Sequence, residues 1–486
     1  MSASELILAA LAIPLAGSVV VALCHRYPNW RETATLVTSV LLFVSVAALL
    51  PAVLSGARPR AHLLELLPGL PLAFEVEPLG MLFALVGSGL WIINSIYSIG
   101  YMRGNNEAHQ TRFYVCFALA LSAVMGIAFS ANLITLFLFY EVLTLVTYPL
   151  VTHHGTDEAR RGGRVYLGLL LGTSVLFLLP AIVFTWYVAG TTEFRPGGIL
   201  PAMAPATLAV LLALYMFGIG KAALMPFHRW LPAAMVAPTP VSALLHAVAV
   251  VKAGVFSVVK IVVYVFGLDQ LAGNADWLLG VSAFTIIAAS VIALKANNLK
   301  RRLAYSTVSQ LSYVILATAL LTPLSIMAAA LHLVVHAVSK ITLFFAAGAI
   351  YTAAHKTEVS QLNGIGQRMP WTMSAFTVAA LSLIGIPPLA GFVSKWFILS
   401  SAGSSGHYFI LAVLIVSTVL NAAYFLPIVY AAFFRKPDDE GAAHAHGEAP
   451  WPMVLALSLT AAMTLLLFFV SDPLLQLVKQ VVPTPL

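Results

Sequence analysis

Long apolar runs separated by short polar punctuation make up almost the whole chain. Fourteen such runs fall at roughly 3–24, 34–54, 73–100, 113–129, 131–151, 165–189, 206–226, 240–266, 277–294, 303–321, 324–353, 371–400, 407–434 and 451–470. As helices they are long enough to cross ~30 Å of hydrocarbon; the fourth only just reaches that length, and the twelfth contains a break. No polar stretch between them is long enough for an extramembrane domain. The pattern predicts an all-α polytopic membrane protein of about fourteen transmembrane helices. The first run carries Glu5 but no basic flank, and no small-residue cleavage site leads into a polar domain, so it reads as a span rather than a signal peptide.

Composition agrees. Of 486 residues, 60% are hydrophobic and 9% charged, against roughly 25% charged in a soluble domain. The net charge of +7 matters through its distribution. Numbered from the N-terminus, the odd loops hold sixteen Lys and Arg residues, while the even loops and C-terminal tail hold four: Arg58, Arg60, Arg195 and Lys479. By the positive-inside rule the odd loops face the cytoplasm and both termini the opposite side. Charges spread over seven short loops make a poor nucleic-acid surface. Cys24 and Cys116 give no disulfide framework or iron–sulfur spacing, and no GxGxxG or Walker sequence follows a plausible strand. No cofactor, metal, redox centre or catalytic centre is expected.

Five basic residues remain inside the spans, Lys221, Lys252, Lys260, Lys340 and Lys395, and one acid, Glu141, lies mid-span. Each costs about 2.5–3.5 kcal/mol on insertion scales, so such groups usually face a bundle interior and mark an ion path. Lys260, near the outer end of its helix, fits snorkelling to the interface equally well, and Lys340 also admits a structural pairing with a neighbouring helix. His332, His336 and Lys340 recur at i, i+4, i+8 along one helical face, where histidine suits proton relay and also a satisfied interhelical hydrogen bond. A metal site is a weaker reading, with no HExxH and no carboxylate on that face. His246, six residues before Lys252, extends the polar line, and AYSTVSQLSY (304–313) adds Ser309 and Gln310 as further candidates.

The stretch GIGKAALMPFHRWLP (218–232) carries Pro226 five positions after Lys221, which predicts a kink or break just beyond that lysine. In LIGIPPLAGFVSKWF (383–397), Pro387, Pro388 and two glycines break a second span ahead of Lys395. Freed backbone groups at membrane depth are tolerated only when buried or facing a cavity. Interrupted spans at positions seven and twelve suggest repeated units at helices 4–8 and 9–13. The organisation predicted is N-terminal helices over 1–110, a first repeat over 111–270, a second over 271–435, and a loop with a last helix over 436–486. The match is imperfect, since the second unit has no counterpart of Glu141. The loop 435–450 holds two histidines and four acids; it reads as a solvated linker more readily than a metal site.

Together FYEVLTL, GIGKAALMPFHRWLPAAMVAPTPVSALLHAVAVVKAG, LKRRLAYSTVSQLSY, HLVVHAVSK and GIPPLAGFVSKW resemble the antiporter-like subunits shared by respiratory complex I, membrane-bound hydrogenases and Mrp-type cation/proton antiporters. The resemblance covers nearly the whole chain; length and Lys395 make it most similar to the D-type member of the Mrp antiporter set. It implies two inverted five-helix repeats with helices 7 and 12 discontinuous. It also implies a proton pathway in which Glu141 pairs with Lys221, Lys252 continues the axis, and His332 and His336 lead to Lys395.

Two energy sources fit that resemblance. One is a secondary antiporter exchanging protons for Na+ or another monovalent cation; the other is a pumping module driven by electron transfer in partner subunits. A coupling module for inorganic carbon uptake would look much the same. A polytopic metalloenzyme using His332 and His336 lacks a ligand set and a nearby acid. The expected setting is a bacterial cell membrane, with other membrane subunits and the lipid bilayer as partners. No sodium site is legible, because sodium takes oxygen ligands that many polar spans offer.

Overall fold

The computed structural model describes residues 2–67, 69–437 and 447–482. Eleven helices among them are long and apolar enough to cross a membrane. In chain order the helices of the first half are α1 (Ala3–Leu23), α2 (Pro28–Leu54), α3 (Pro78–Gly104), α4 (Gln110–Ala128), α5 (Leu133–Val151), α6 (Asp157–Ala189) and α7 (Pro205–Gly218). Those of the second are α8 (Thr239–Phe266), α9 (Asp276–Lys295), α10 (Leu299–Ala319), α11 (Pro323–Ala354), α12 (Pro370–Ile384), α13 (Ala390–Ser404), α14 (Tyr408–Phe434), α15 (Trp451–Phe469) and the short α16 (Asp472–Lys479). The three expected spans outside the eleven are α10, more polar than the rest, and the two interrupted ones, α7 with its continuation and α12–α13.

Burial sorts these helices into centre and rim. The most apolar stretches of α8 and α11 are 100% buried, whereas only 33% of those in α2, α6, α14 and α15 is. The helices carrying Lys252, Lys260, His332, His336 and Lys340 are therefore wrapped by the others. The rim helices turn valines, leucines and aromatics outward, including Leu176, Tyr187, Val419 and Phe434, as a hydrocarbon solvent allows.

Two boundaries differ from the sequence reading. Residues 60–75 form an antiparallel hairpin, β1 (Arg60–Leu67) and β2 (Leu70–Glu75), so 73–75 belong to a strand and not to the third span. The Asn132 side chain donates to the Pro71 carbonyl at 2.8 Å while accepting the Thr135 N–H as the cap of α5, which fastens the hairpin to the bundle. Lys300, Arg301 and Arg302, expected in a loop, fall inside the start of α10. Arg302 is buried there because its guanidinium donates to the carbonyls of Leu294, Ala296 and Tyr424. His444 and His446 of the loop 435–450 lie outside the described residues.

Both interruptions are present, and each contains a cis X–Pro bond, Met225–Pro226 and Pro387–Pro388. The first begins earlier than expected. α7 ends at Gly218, and Lys221 lies within the break, on a 3-10 turn over Gly220–Ala222. Close packing is the reason: a Cβ on Gly218 would meet the Leu178 backbone at 2.4 Å, and one on Gly220 the Thr173 hydroxyl at 2.2 Å. The freed groups find side-chain partners, as buried backbone must. The Lys221 N–H donates to the Tyr140 hydroxyl at 3.1 Å, and the Trp230 indole donates to the Gly220 carbonyl at 2.9 Å.

At the second break Gly391 approaches the Ser382 carbonyl so closely that an added Cβ would sit 1.7 Å from it. Gly391→Ala is expected to destabilise the protein by about 1–3 kcal/mol through overpacking. Gly280→Ala, where a Cβ meets open space, should stay within about 0.5 kcal/mol of the parent. Thermal unfolding of the two purified variants checks the contrast.

Candidate functional site

Interior lysines need partners, because hydrocarbon supplies no water. Lys221 takes neutral ones from α5: its ammonium donates to the Tyr140 carbonyl at 2.8 Å and to the Thr144 hydroxyl, and lies 3.2 Å from the centre of the Tyr140 ring. Glu141, the next residue on α5, forms no contact ion pair with it. Both Glu141 carboxylate oxygens are buried without a hydrogen-bond partner. Packing of the break against α5 thus brings acid and base onto adjoining segments without a contact ion pair between them.

From Lys252 on α8 the polar groups can be followed to α11 and α13. Gly254 lets α8 pack on the break, since a Cβ there would lie 2.4 Å from the Lys221 carbonyl carbon. Two residues before it, the Lys252 ammonium lies 2.5 Å from His336 Nδ1. The His336 and His332 rings stack at 6.1 Å, and their common face is the one the i, i+4 spacing predicts. His332 Nε2 meets Gln310 Oε1 at 3.1 Å and its Nδ1 meets Ser394 Oγ at 3.0 Å. Next to Ser394, Lys395 donates to the Ile384 carbonyl at 3.1 Å, a group freed by the break, and lies 5.0 Å from the Tyr313 ring centre. Tyr313 also stacks on His332 at 5.7 Å.

The other candidates stand to either side of this line. Lys340 donates to the Leu303 carbonyl at 3.1 Å and to the Ser306 hydroxyl at 2.8 Å on α10. His246 packs on Phe344 at 4.6 Å with neither ring nitrogen hydrogen-bonded. Ser309 bonds Ser290 at 3.0 Å. Buried polar atoms without partners lie on the line itself: His336 Nε2 and Gln310 Nε2. Such atoms suit a region in which hydrogen bonds are exchanged. Pro226, Pro387 and Pro388 act through the backbone of the two breaks.

Lys260 does not snorkel. It is fully buried and paired with Glu77 at 3.2 Å, donates to the Ser130 carbonyl at 2.8 Å, and leaves Lys252 and Lys340 as lysines served by uncharged partners. Glu77 caps α3 through the N–H groups of Leu79 and Gly80 and also accepts from the Tyr264 hydroxyl at 3.1 Å. Sequence reading missed Glu77 because it lies at the edge of an apolar run. Its only signal was EVEPLG, an acid just before the proline that opens a helix.

A second missed cluster lies outside the spans, between α3 and α4 and between α5 and α6. Glu107 sits 3.3 Å from His154 Nε2 and 3.9 Å from His153 Nε2. The hydrogen bond that Glu107 accepts raises His154 from its ordinary value, whereas burial pushes His153 down to about 4. Lys300, across the same recess, opposes the charging of His154.

Part of the chain matches a known family. Residues 130–421, more than half of its length, match the family described as "NADH:quinone oxidoreductase/Mrp antiporter, TM". The chain is 32% identical over 399 residues to NADH-quinone oxidoreductase subunit N of Desulforudis audaxviator, covering 80% of this chain and 78% of that protein. It is 29% identical to a probable K(+)/H(+) antiporter component, the A/B polypeptide of Rhizobium meliloti, over 92% of this chain but only 45% of that longer protein. A chain in the structure of the Mrp complex from Dietzia sp. DQ12-45-1b shares the fold, with a TM-score of 0.87, 23% identity, and coverage of 99% of this chain and 97% of that one.

Two measurements address the ion pairs. Glu77→Gln leaves Lys260 buried without a counter-charge and is expected to cost about 3–5 kcal/mol in thermal unfolding, with much of the loss recovered in Glu77→Gln/Lys260→Met. The raised value of His154 means its bond to Glu107 contributes most below about pH 6.5 and is lost as pH rises through the folded value. Proton NMR of ring-labelled protein should give His154 a midpoint above that of free histidine, falling in Glu107→Gln. An unshifted midpoint contradicts the assignment.

Proposed function

The chain belongs to the NADH:quinone oxidoreductase/Mrp antiporter transmembrane family, and from that membership we propose that it is a proton-translocating membrane subunit of a multisubunit cation/proton antiporter. The exchanged cation is monovalent, with Na+ as the favoured version. The observation carrying this reading is the run of contacts from Lys252 through His336 and His332 to Ser394 and Lys395. Protonatable groups in contact inside a hydrocarbon-embedded bundle are costly to keep for packing alone, and histidine beside lysine provides sites that can accept and release a proton in turn.

Glu141, Lys221, Lys252, His332, His336, Lys340 and Lys395 form the pathway in this proposal, with His246, Ser309 and Gln310 lining it. Lys260, bound to Glu77, serves the outer end of α8. Approach of the Glu141 carboxylate to Lys221 favours the ammonium, and its withdrawal favours release toward Lys252. The neutral cradle of Tyr140 and Thr144 corresponds to the withdrawn arrangement.

Two inverted five-helix units, 111–270 and 271–435, organise the path. What supports the division is that each contains an interrupted helix whose lysine lies against a tyrosine of that unit's second helix: Lys221 on Tyr140 and Lys395 on Tyr313. The protein resides in a bacterial cell membrane with the odd loops cytoplasmic, on the strength of the sixteen-to-four basic asymmetry. The apolar rim of α6 and α14 adjoins lipid or neighbouring membrane subunits.

Redox-driven pumping is the second reading, favoured by the likeness to an NADH-quinone oxidoreductase subunit over 78% of that subunit's length. Membrane vesicles containing the protein's own assembly separate the two. Antiport predicts that adding Na+ collapses an imposed pH gradient with no electron donor present; redox pumping predicts proton uptake only when a donor is supplied. In either case Glu141→Gln and Lys221→Ala should lower proton movement about tenfold or more, at least ~1.4 kcal/mol in barrier, with assembly preserved. Full activity in both variants removes these residues from the pathway.

A further inference from the structure

Two adjoining recesses of about 550 and 450 Å³ open at one end of the bundle. The first is lined by Arg161, Arg229 and Arg301 with Glu158 and Asn298; the second by Arg160, Arg161 and Arg164 with Asp157 and Tyr148. Arg161 belongs to both. Five guanidinium groups against two carboxylates leave a surplus of three positive charges. Arg160 reaches Asp157 only at 4.0 Å between exposed side chains, and Arg301 lies 6.0 Å from the centre of the Tyr305 ring. Among the described residues, the guanidinium groups of Arg161, Arg164 and Arg229 have no hydrogen bond or ion pair. Gathered, unpaired forks of this kind match the oxygens of a phosphate diester.

The surroundings decide which phosphate. Val165, 40% exposed, lines the first recess and heads a face of α6 that continues through Gly168 and Gly172 to Leu176, 67% exposed. Steps of three and four residues keep these positions on one side of the helix. A Cβ added at Gly168 or Gly172 would meet nothing within 4 Å, so a shallow apolar trough runs away from the arginines along the rim of the bundle. A soluble phosphate would use the arginines and leave the trough empty. A lipid uses both.

We propose that the arginine recess binds the headgroup of an anionic phospholipid, with one acyl chain lying along the Val165–Gly168–Gly172–Leu176 face of α6. Two recesses sharing Arg161 suit a headgroup with two phosphates, as in a diphosphatidylglycerol, whose two negative charges fall within the surplus. Basic pockets between transmembrane helices take such headgroups. Arg229 lies between Pro226 and Trp230, and the Trp230 indole holds the Gly220 carbonyl beside Lys221. The headgroup therefore braces the interrupted segment, whatever ion drives transport.

The test uses the full chain with its co-purifying subunits in phosphatidylcholine vesicles, with spin-labelled diphosphatidylglycerol and spin-labelled phosphatidylcholine as probes. The anionic label is expected to associate several-fold more strongly. In R161Q/R229Q/R301Q the preference should disappear, since each guanidinium near the surface is worth about fivefold. Gly168→Phe, which fills the trough from an exposed position, should weaken the label without touching a charge and guards against misfolding of the triple variant. Equal association of the two labels overturns the proposal. So does full displacement by inorganic pyrophosphate with Gly168→Phe silent, which would mark a soluble-phosphate site. A preference that appears only after the partner subunits are stripped away also overturns it, because the recess would then be a docking surface for an acidic protein segment.

Discussion

Hydrocarbon offers no hydrogen bonds, and this one constraint orders the molecule. Charges and freed backbone groups at membrane depth are held by partners within the protein, Glu141 being, among the described residues, the buried charge left without a hydrogen bond. The two interrupted helices show how the demand is met. Around the first break, Tyr140 and Trp230 supply the bonds that a continuous helix would have made. At the second, Lys395 itself takes the carbonyl of Ile384, and the Ser382 hydroxyl accepts the Gly391 N–H at 3.2 Å. Breaks and lysines are thus solved together.

The same constraint separates two kinds of buried lysine. Lys260 is matched by a carboxylate that also caps α3 and holds Tyr264, so it is locked by several bonds at once. Lys221, Lys252, Lys340 and Lys395 rest on carbonyls, hydroxyls and an imidazole. Neutral acceptors hold an ammonium without committing it, and a proton can leave with less rearrangement than breaking an ion pair would require. Under the proposed function, pathway charges and bracing charges differ in their partners rather than in their depth.

The placement of these groups depends on close approaches that only glycine permits. Gly218 and Gly220 press the break against α6, and Gly254 brings α8 onto it. Gly218 and Gly254 remove a side chain where two backbones meet, and Gly220 removes one where the break meets the Thr173 side chain. Bulk at any of these sites would part the helices.

The apolar runs, the prolines and the isolated charges determined the helical class, the two breaks, the five interior lysines and Glu141, because each is a local property of sequence in a solvent that penalises exceptions. Gly69, at positive φ just before β2, was even a turn signal for the hairpin, hidden by the apolar residues around it. What the sequence left open is which groups meet. His332 and His336 could be placed on one face by spacing alone, but not against Ser394, Gln310 and Lys252. Lys260 could be seen near a helix end, but not that Glu77, 183 residues away in the chain, neutralises it. Partners so distant in sequence are chosen by how helices pack, and packing belongs to the tertiary structure.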